Sequence, residues 1–263
     1  EQTFGWSSQE AIGRRLDEMI IPVTMREAHR AGLRHYLATG ELNVLNRRME
    51  LTAVRRDGTP LPVEVLVSPL SIDGKTIFSA FLHDITERKQ VEAIREHEAT
   101  HDPLTGLLNR RGMFDLLSQA IARVKRTRAS LALLFIDLDG FKQINDTHGH
   151  EAGDAVLREV AARLQASIRQ TDTAARLGGD EFTVILENIK HGISDANMLA
   201  QKILETLQHP IQLDSVTATI SASIGISMHH PDDERSADQL VNAADSAMYT
   251  AKHAGKNQVC VHK

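Results

Sequence analysis

The amino-acid sequence predicts an α+β protein in two parts: an antiparallel sheet with small helices, followed by an α/β sheet domain. Before residue 86, three strand-like runs follow short helical patterns and are separated by Asp-Gly pairs, which favour hairpin turns. After residue 102, helical and strand patterns alternate along the chain. Between the two parts, residues 86–101 form a charged, helix-prone segment that Pro103 ends.

The first part begins with short helices. Ser7, followed three residues later by Glu10, predicts a capped helix start. Residues Pro22–Ala38 carry a helical pattern that stops at Gly40, a typical C-terminal cap. The valines from 63 to 67 alternate with other residues and predict a strand with one apolar face. The predicted strands are Asn43–Val54, Leu61–Pro69 and Thr76–His83, with turns at Asp57-Gly58 and Asp73-Gly74.

The charged segment predicts a solvated helix with a thin apolar stripe, carried mainly by Val91 and Ile94. Such a stripe suits a partner helix better than a globular core. We therefore divide the chain into residues 1–86, a linker at 87–101, and residues 102–263. The linker contains His97-Glu98-Ala99-Thr100-His101, which has the spacing of a protease zinc motif. We discount that motif because the helix is solvated and Pro103 follows directly.

The second part predicts a layered α/β domain. Leu131–Asp137 is almost entirely apolar, as in a central strand, and it ends in carboxylates. Val216–Met228 alternates between apolar residues and mostly Ser or Thr, which predicts a strand with one apolar face. The remaining predicted elements are helices at Gly112–Val124, Gly153–Ile168, Ser194–Leu207 and Ala237–Lys252, a hairpin within Ala174–Leu186, and a last strand at Asn257–Val261.

Composition excludes several classes of function. The 263 residues carry a formal net charge of -5 and only 4% aromatic residues, so a binding face for a nucleic-acid polymer is not expected. The lone Cys260 excludes an intrachain disulfide and a thiolate zinc cluster. No apolar run approaches the roughly 20 residues of a membrane span. Because the sequence starts at Glu1, we expect a fragment of a longer protein, with any membrane anchor outside it.

Two groups of acids mark a candidate site. Asp137 and Asp139 stand at the end of a predicted strand, where α/β proteins place ligands, and Asp180-Glu181 follows the Gly178-Gly179 turn. If the hairpin lies beside the strand, Asp137, Asp180 and Glu181 form a hard-oxygen pocket suited to Mg²⁺ and a nucleoside triphosphate. For a single acid pair, helix capping and turn solubility would be the simpler interpretation.

The segment after this strand is rich in small and polar residues. Gly140 lets backbone N–H groups approach an anion, and Lys142 adds positive charge. Asn145 and Asp154 have the hydrogen-bonding groups to read a purine edge. Together these residues predict a nucleotide site next to the acids.

The combination resembles one family. Arg176-Leu177-Gly178-Gly179-Asp180-Glu181-Phe182 contains the signature of the GGDEF family, the diguanylate cyclases. Four further stretches resemble motifs of the same family: Asp102–Arg111, Phe135–Lys142, Asn145–Asp154, and Tyr249–Lys252 with Gly255-Lys256-Asn257. The resemblance covers residues 102–263.

This resemblance implies a ferredoxin-like, polymerase-palm-type fold and the condensation of two GTP into cyclic di-GMP, with release of two pyrophosphates. It implies that Asp137, Asp180, Glu181 and the Leu138 carbonyl hold Mg²⁺ or Mn²⁺. Either Asp180 or Glu181 would help to deprotonate the attacking 3′-hydroxyl, and Lys142, the third implied catalytic residue, would neutralise charge on the phosphates together with Lys252. The implied substrate-binding residues are Gly140, Phe141, Lys142, Asn145, His150, Asp154, Arg176 and Lys252. Because one domain holds one GTP, we expect a homodimer that forms through residues 1–86, the linker helix and the GGDEF faces.

Arg169 and Asp172 precede the GGDEF turn with the spacing of the family's inhibitory site for cyclic di-GMP. A guanidinium can grip a phosphate or a guanine face, and a carboxylate can accept from the guanine N–H edge. As a bare pattern, Arg-x-x-Asp is usually a surface ion pair. At this offset we interpret it as a site of product inhibition.

Residues 1–86 resemble a PAS sensor domain. The stretches that carry the resemblance are Phe4–Ser7, Ala11–Arg14, Thr39–Glu41, Arg55–Gly58 and Asp84–Arg88. The N-terminal strands common to PAS domains are not in this sequence. His29, seven residues before Tyr36, stands on the helix where haem-binding relatives carry their iron ligand, but an ordinary helix histidine is the simpler interpretation.

The sequence thus predicts a cytoplasmic, bacterial, PAS-regulated diguanylate cyclase whose linker sets how two catalytic domains face each other. The alternative is a regulatory GGDEF module that binds GTP or cyclic di-GMP in a longer protein with a C-terminal phosphodiesterase domain. Formation of cyclic di-GMP from GTP distinguishes the two.

Overall fold

The structure is a computed structural model that describes residues 1–40, 46–73, 75–213 and 217–262. The chain divides into two compact units, Glu1–Arg95 and Glu96–Lys263. No helix in the described ranges combines the length and the apolar character that crossing a membrane requires.

The first unit opens with the predicted capped helix. In α1 (Ser8–Ala11), Ser7 and Glu10 form the reciprocal hydrogen bonds of a capping box. After α2 (Leu16–Met19) and a 3-10 turn (Val23–Met25), α3 (Arg26–Thr39) ends at Gly40, whose φ of 75° closes the helix as predicted.

A three-stranded antiparallel sheet completes the first unit. Its strands are β1 (Arg48–Val54), β2 (Pro60–Ile72) and β3 (Lys75–Asp84), in the spatial order β1-β2-β3. The predicted apolar face is confirmed, because Val63 and Val65 are buried and Val67 packs against them. The Asp57-Gly58 turn joins β1 to β2 as predicted. Residues 43–45 of the first predicted strand and Gly74 of the second turn lie outside the described residues.

Helix α4 (Thr86–Thr100) forms where the charged segment predicts it. None of its residues is buried, and the side chains of its apolar stripe remain partly accessible, with Val91 39% and Ile94 57% exposed. The helix therefore buries no face of its own in the described chain.

The second unit alternates helix and strand. Its elements are α5 (Arg110–Thr127), β4 (Ser130–Asp139), α6 (Phe141–His148), α7 (His150–Ser167), β5 (Thr173–Gly178), β6 (Glu181–Ile189), α8 (Ile193–Leu207), β7 (Ile211–Gln212), β8 (Thr217–Ala218), β9 (Ser221–His229), α9 (Ala237–His253) and β10 (Gln258–Val261).

Strand β4 is the centre of a five-stranded sheet in the order β10-β9-β4-β6-β5. It pairs antiparallel with β6 on one side and with β9 on the other, while β10 runs parallel to β9. Two apolar cores lie against the sheet, one including residues of α7 and α8 and the other residues of α5 and α9. All residues of β4 from 131 to 138 are buried, as its apolar sequence predicts.

One predicted strand is wrong in extent. Residues 217–218 form β8, which pairs with β7, and the chain enters the main sheet only at Ser221 as β9; Val216 lies outside the described residues. The predicted apolar face is confirmed, because Ala222, Ile224 and Ile226 are buried, but helices cover both faces of β9. Ser223 and Ser227 on the polar side are completely buried.

Gly225 is the point of closest approach between β9 and α9. A Cβ atom at this position would collide with the backbone of α9, at the Ala244 carbonyl oxygen and the Met248 amide nitrogen. Only glycine therefore allows the helix to lie this close to the sheet.

Candidate functional site: a carboxylate cluster at the sheet edge

The carboxylates meet at the junction of β4 and the hairpin. Asp137 of β4 stands opposite Glu181 of β6 in the strand register. The Leu138 N–H donates to the Asp180 carbonyl at 3.2 Å, which holds the turn residue beside the end of β4. The structure thus brings together the acids of the predicted pocket, Asp137, Asp180 and Glu181.

The hairpin turn has a backbone that favours glycine. Gly178 has a φ of 142° and Gly179 a φ of 53°. The Arg176 guanidinium donates to the Gly179 carbonyl at 2.9 and 3.0 Å, and to the Asp102 carboxylate at 3.0 and 3.1 Å. With 11% of its side chain exposed, Arg176 is engaged by the protein itself and fixes the turn.

Lys252 reaches the cluster from α9. Its Nζ lies 2.7 Å from Asp137 Oδ1. Burial raises the pKa of Asp137 above its usual value, Lys252 opposes this shift, and the Asp180 charge adds to it. Burial alone would lower the pKa of Lys252, but Asp137 and the neighbouring acids outweigh it and raise that pKa. The lysine is therefore held in its charged form beside the acids.

The pKa of Glu181 is raised as well. Burial raises the pKa of its carboxyl, and the Asp245 and Asp137 charges raise it further. The Arg110 guanidinium, 3.4 Å away, opposes the shift. A cation bound near these acids would lower both raised pKa values, so its affinity is expected to increase as pH rises and protons leave.

The donor chemistry of the cluster fits Mg²⁺. Within the described ranges, no three His, Cys, Asp or Glu side chains are grouped closely enough to hold a metal ion by themselves. Mg²⁺ does not need such a cage, because it usually binds one or two carboxylates together with substrate phosphates and water. Asp137, Asp180, Glu181 and the Leu138 carbonyl are the residues that could hold it.

Asp139 has a different environment from Asp137. Its carboxylate accepts hydrogen bonds from the Ser221 and Ser223 hydroxyls at 3.0 and 2.9 Å, and from the Asn257 N–H at 3.0 Å. These contacts tie the end of β4 to β9 and to the turn before β10. Asp139 is therefore a structural residue of the sheet edge.

The residues that we predict to bind the phosphates and the guanine base lie at the start of α6, within α6 and in the first turns of α7. Gly140, with a φ of 80°, precedes α6. The N–H groups of the first helical residues, including Phe141 and Lys142, have no partner within a helix, which is a geometry suited to phosphate. Lys142 is exposed on α6, and His150 is exposed at the start of α7.

Asn145 is held against α7. Its side-chain oxygen occupies the space that a Cβ atom of Gly153 would fill, and Phe141 Cζ lies 3.2 Å from the same position. Asp154 follows directly on α7 and is partly buried. Because Gly153 has no side chain, the Asn145 side chain can pack directly against it. Asn145 therefore lies close to Asp154, the next residue of α7.

Arg169 and Asp172 line a separate cavity of about 340 Å³, which His101 and Gln165 also line. Asp172 is buried, and its carboxylate accepts the Arg169 N–H at 3.1 Å. Within the part of the chain that the structure describes, the Arg169 guanidinium has no hydrogen-bond partner. The pair therefore presents an exposed guanidinium at the edge of a cavity.

His29 lies on α3, and its side chain is exposed. The helix has no buried residue. An axial haem ligand needs an enclosed position, so this histidine does not fit one, and we assign it no haem.

Four residues of the site were not singled out from the sequence. Arg110 contacts Glu181, Asp102 contacts Arg176, and Gly153 accommodates Asn145. The charge of Asp245 acts on Glu181 from α9. Asp102 and Arg110 belong to a stretch with family resemblance, which is the signal that could have drawn attention to them. Gly153 lies in another such stretch, Asn145–Asp154, whereas Asp245 is found only through the position of α9 beside the acids.

A mostly antiparallel five-stranded sheet backed by helices, with acids at the turn beside its central strand, defines a palm-type GGDEF domain in residues 96–263. The diguanylate cyclase GGDEF domain family matches residues 99–258, and a PAS domain family matches residues 1–87. The chain therefore belongs to the GGDEF diguanylate cyclase family and carries a PAS domain before the GGDEF domain.

Individual proteins that are similar to this chain also have diguanylate cyclase in their names. The chain is 46% identical over 162 residues to the bifunctional diguanylate cyclase/cyclic di-GMP phosphodiesterase MucR of Pseudomonas aeruginosa, covering 62% of this chain and 23% of MucR. It is 39% identical over 222 residues to the diguanylate cyclase TpbB of the same species, covering 82% of this chain and 50% of TpbB. The chain thus spans half or less of the length of these relatives.

Among solved structures, the coiled coil and GGDEF domain of DgcB from Caulobacter crescentus in complex with c-di-GMP is similar to this chain. The TM-score is 0.61 at 30% identity, covering 66% of this chain and 91% of that one. The fold of the GGDEF part is therefore shared with a structure that contains cyclic di-GMP.

Proposed function

We propose that this chain is a PAS-regulated diguanylate cyclase, which condenses two GTP into cyclic di-GMP and releases two pyrophosphates. The observation that carries the proposal is the meeting of Asp137, Asp180 and Glu181 at the ends of paired strands, beside Lys252. Membership of the family and the cyclase named TpbB support it.

In each of the two steps, the 3′-hydroxyl of one GTP loses its proton and its oxygen bonds to the α-phosphorus of the other GTP. The bond from that phosphorus to pyrophosphate breaks. Asp180 or Glu181 would accept the proton, since both stand at the hairpin tip. Mg²⁺ held by Asp137, Asp180 and the Leu138 carbonyl would neutralise the developing phosphate charge.

The other residues would bind and orient the substrate. Lys252 and Lys142 would pair with phosphate oxygens, and the amides of Gly140 and Phe141 would donate to them. Asn145 and Asp154 would hydrogen-bond the guanine, with His150 nearby. For Arg176 we propose a positioning role, because its guanidinium is held by Asp102 and by the turn carbonyl.

A single domain supplies groups for one GTP, whereas the product needs two GTP facing each other. We propose a homodimer, with residues 87–101 as the linker that sets how the two catalytic domains face. The exposed stripe of α4 supports a helix pairing of this kind.

Incubation of the chain with GTP and Mg²⁺ tests the function. We expect one cyclic di-GMP and two pyrophosphates for each pair of GTP consumed, measured by chromatography and a pyrophosphate assay. GTP binding without product would instead support a regulatory GGDEF module of a longer protein with a phosphodiesterase domain. The similarity to the bifunctional MucR supports this second candidate function, a regulatory GGDEF module.

The Gly153→Ala variant is expected to raise the KM for GTP about tenfold and to change kcat less. The new Cβ displaces the Asn145 side chain rather than backbone, and alanine favours the helix, so the fold should persist. Steady-state kinetics with a melting curve measures both effects. The Asn145→Ala variant should show the same increase in KM, and combining the two changes should add little. A KM for Gly153→Ala within twofold of wild type would contradict the proposal.

Arg169 and Asp172 are proposed to bind cyclic di-GMP as a site of product inhibition. The Arg169→Ala variant is expected to weaken cyclic di-GMP binding at least tenfold, because a charged guanidinium contributes about 1.5–3 kcal/mol per hydrogen bond to an anion. Calorimetric titration measures the affinity. Arg158→Ala, a change at an exposed arginine of α7, is the control and should bind as wild type does. Unchanged binding by Arg169→Ala would refute the assignment.

A further inference from the structure

One exposed tyrosine borders the proposed catalytic site. Tyr249 of α9 is 60% exposed, whereas the four phenylalanines of the second unit are buried in the two apolar cores or packed against them. Its ring contacts the His253 imidazole, one helical turn further on, with centroids 4.2 Å apart and planes inclined by 55°. The ring is therefore held in place by its own helix while most of it remains open to solvent.

The periodicity of α9 places Tyr249 on the flank of the helix that borders the acids. Asp245 stands four residues before it and Lys252 three residues after it, and residues at these spacings are neighbours on a helix surface. Lys252 contacts Asp137, and the charge of Asp245 acts on Glu181. Because both neighbours of Tyr249 reach the carboxylate cluster, the tyrosine stands at the rim of the candidate site.

The proposed reaction determines what this rim must face. Each 3′-hydroxyl would attack the α-phosphorus of the GTP held by the other copy, so the two carboxylate clusters have to approach within the length of one cyclic dinucleotide. A second copy of the chain then covers the surface next to Asp137 and Asp180, and a two-fold axis brings the same surface from both copies. An exposed side chain at the rim is buried in this arrangement.

We propose that Tyr249 is a contact residue of the catalytic dimer and packs against the second copy of this chain, an inference that rests on the proposed function. Tyrosine suits such a contact because its ring offers a large apolar area and its hydroxyl can still hydrogen-bond, and tyrosines are enriched among the residues that dominate interfaces. The contact with His253 already orders the ring, which lowers the entropy lost when the two copies meet. Tyr249 would thus stabilise the arrangement in which the two sites face each other.

Steady-state kinetics and analogue binding test this role together. Tyr249→Ala is expected to lower kcat at saturating GTP at least tenfold, because fewer dimers hold their two sites face to face. Its dissociation constant for 3′-deoxy-GTP, which binds but has no attacking hydroxyl, should stay within twofold of wild type, because the ring touches the other copy rather than the GTP of its own domain. Tyr249→Phe keeps the ring and should retain most of the activity. Thr250→Ala is the matched control, at an exposed residue that the helix carries about 100° further round from the acids, and should behave as wild type.

Chemical nitration of the wild-type chain, located by mass spectrometry of its peptides, tests directly whether the ring becomes covered. We expect 3′-deoxy-GTP with Mg²⁺ to slow the nitration of Tyr249 at least threefold and to leave that of Tyr36, which packs against Phe78 in the first unit, unchanged.

Three results would overturn the inference: a kcat of Tyr249→Ala equal to that of wild type, an equal loss of activity in Thr250→Ala, or nitration of Tyr249 that the analogue does not slow. A tenfold loss of analogue binding by Tyr249→Ala would also overturn it, since the ring would then contact the GTP of its own domain. Melting curves show that the variants are folded. Nitration needs no turnover, so a wild-type chain that is protected but forms no cyclic di-GMP would refute the proposed function and still support the contact between copies.

Discussion

Asp180→Ala is expected to reduce cyclic di-GMP formation by about a thousandfold or more, while the domain keeps its fold. Catalysis of phosphoryl transfer depends on positioned charge, and removing one such group commonly costs a factor of about 10²–10³. Here the same residue would serve both the metal and the attacking hydroxyl, so its loss should fall at the upper end. Product formation from GTP and Mg²⁺, followed by chromatography, measures the effect.

The fold should survive this change because the Asp180 side chain makes no hydrogen bond within the described part of the chain. Its charge also lies near Asp137 and Glu181, whose pKa values it raises, so its removal relieves repulsion. Asp115→Ala, at an exposed carboxylate of α5, is the matched control and should retain full activity. Full activity of Asp180→Ala would exclude the proposed mechanism.

Gly225→Ala is expected to destabilise the GGDEF domain by about 3 kcal/mol or more, at the upper end of typical overpacking. The new methyl group meets the backbone of α9, which cannot rotate away as a side chain can. For a domain of this size, about 3 kcal/mol corresponds to a fall in melting temperature of roughly 10 °C. Thermal unfolding followed by circular dichroism measures it.

Gly153→Ala is the matched control for this stability effect. It introduces the same methyl group at another close contact, where the group in its way is the movable Asn145 amide. Its melting temperature should stay within a few degrees of wild type. Similar melting temperatures for Gly225→Ala and wild type would show that α9 can move away from the sheet.

Patterns in the sequence predict most of the fold because hydrophobic periodicity, helix caps and turn residues depend only on neighbouring positions in the chain. The apolar run ending at Asp137 is buried on both faces as the central strand β4, and Ser7 with Glu10 forms a capping box. The break of the last long strand could not be predicted in this way. Its alternation continues across residues 219–220, while the chain changes its strand partner.

Part of the candidate site was also predictable. Asp137 and Asp180-Glu181 follow from a strand end and a glycine turn, and the register of β4 and β6 brings them together. The partners of these residues could not be predicted, because they come from distant parts of the chain. Arg110 lies 71 positions from Glu181, and Lys252 lies 115 positions from Asp137. Only the packed sheet and helices determine such contacts.

The position of Asp137 on β4 has a consequence for native-state fluctuations. The strand is hydrogen-bonded to a neighbour on each side, and its residues 131–138 are buried, so we expect it to open only when the whole domain unfolds. Its amides should be among the slowest to exchange their hydrogens with solvent. Partial openings of the protein would then leave this carboxylate in place, and the hairpin tip that carries Asp180 would be the half of the site that moves.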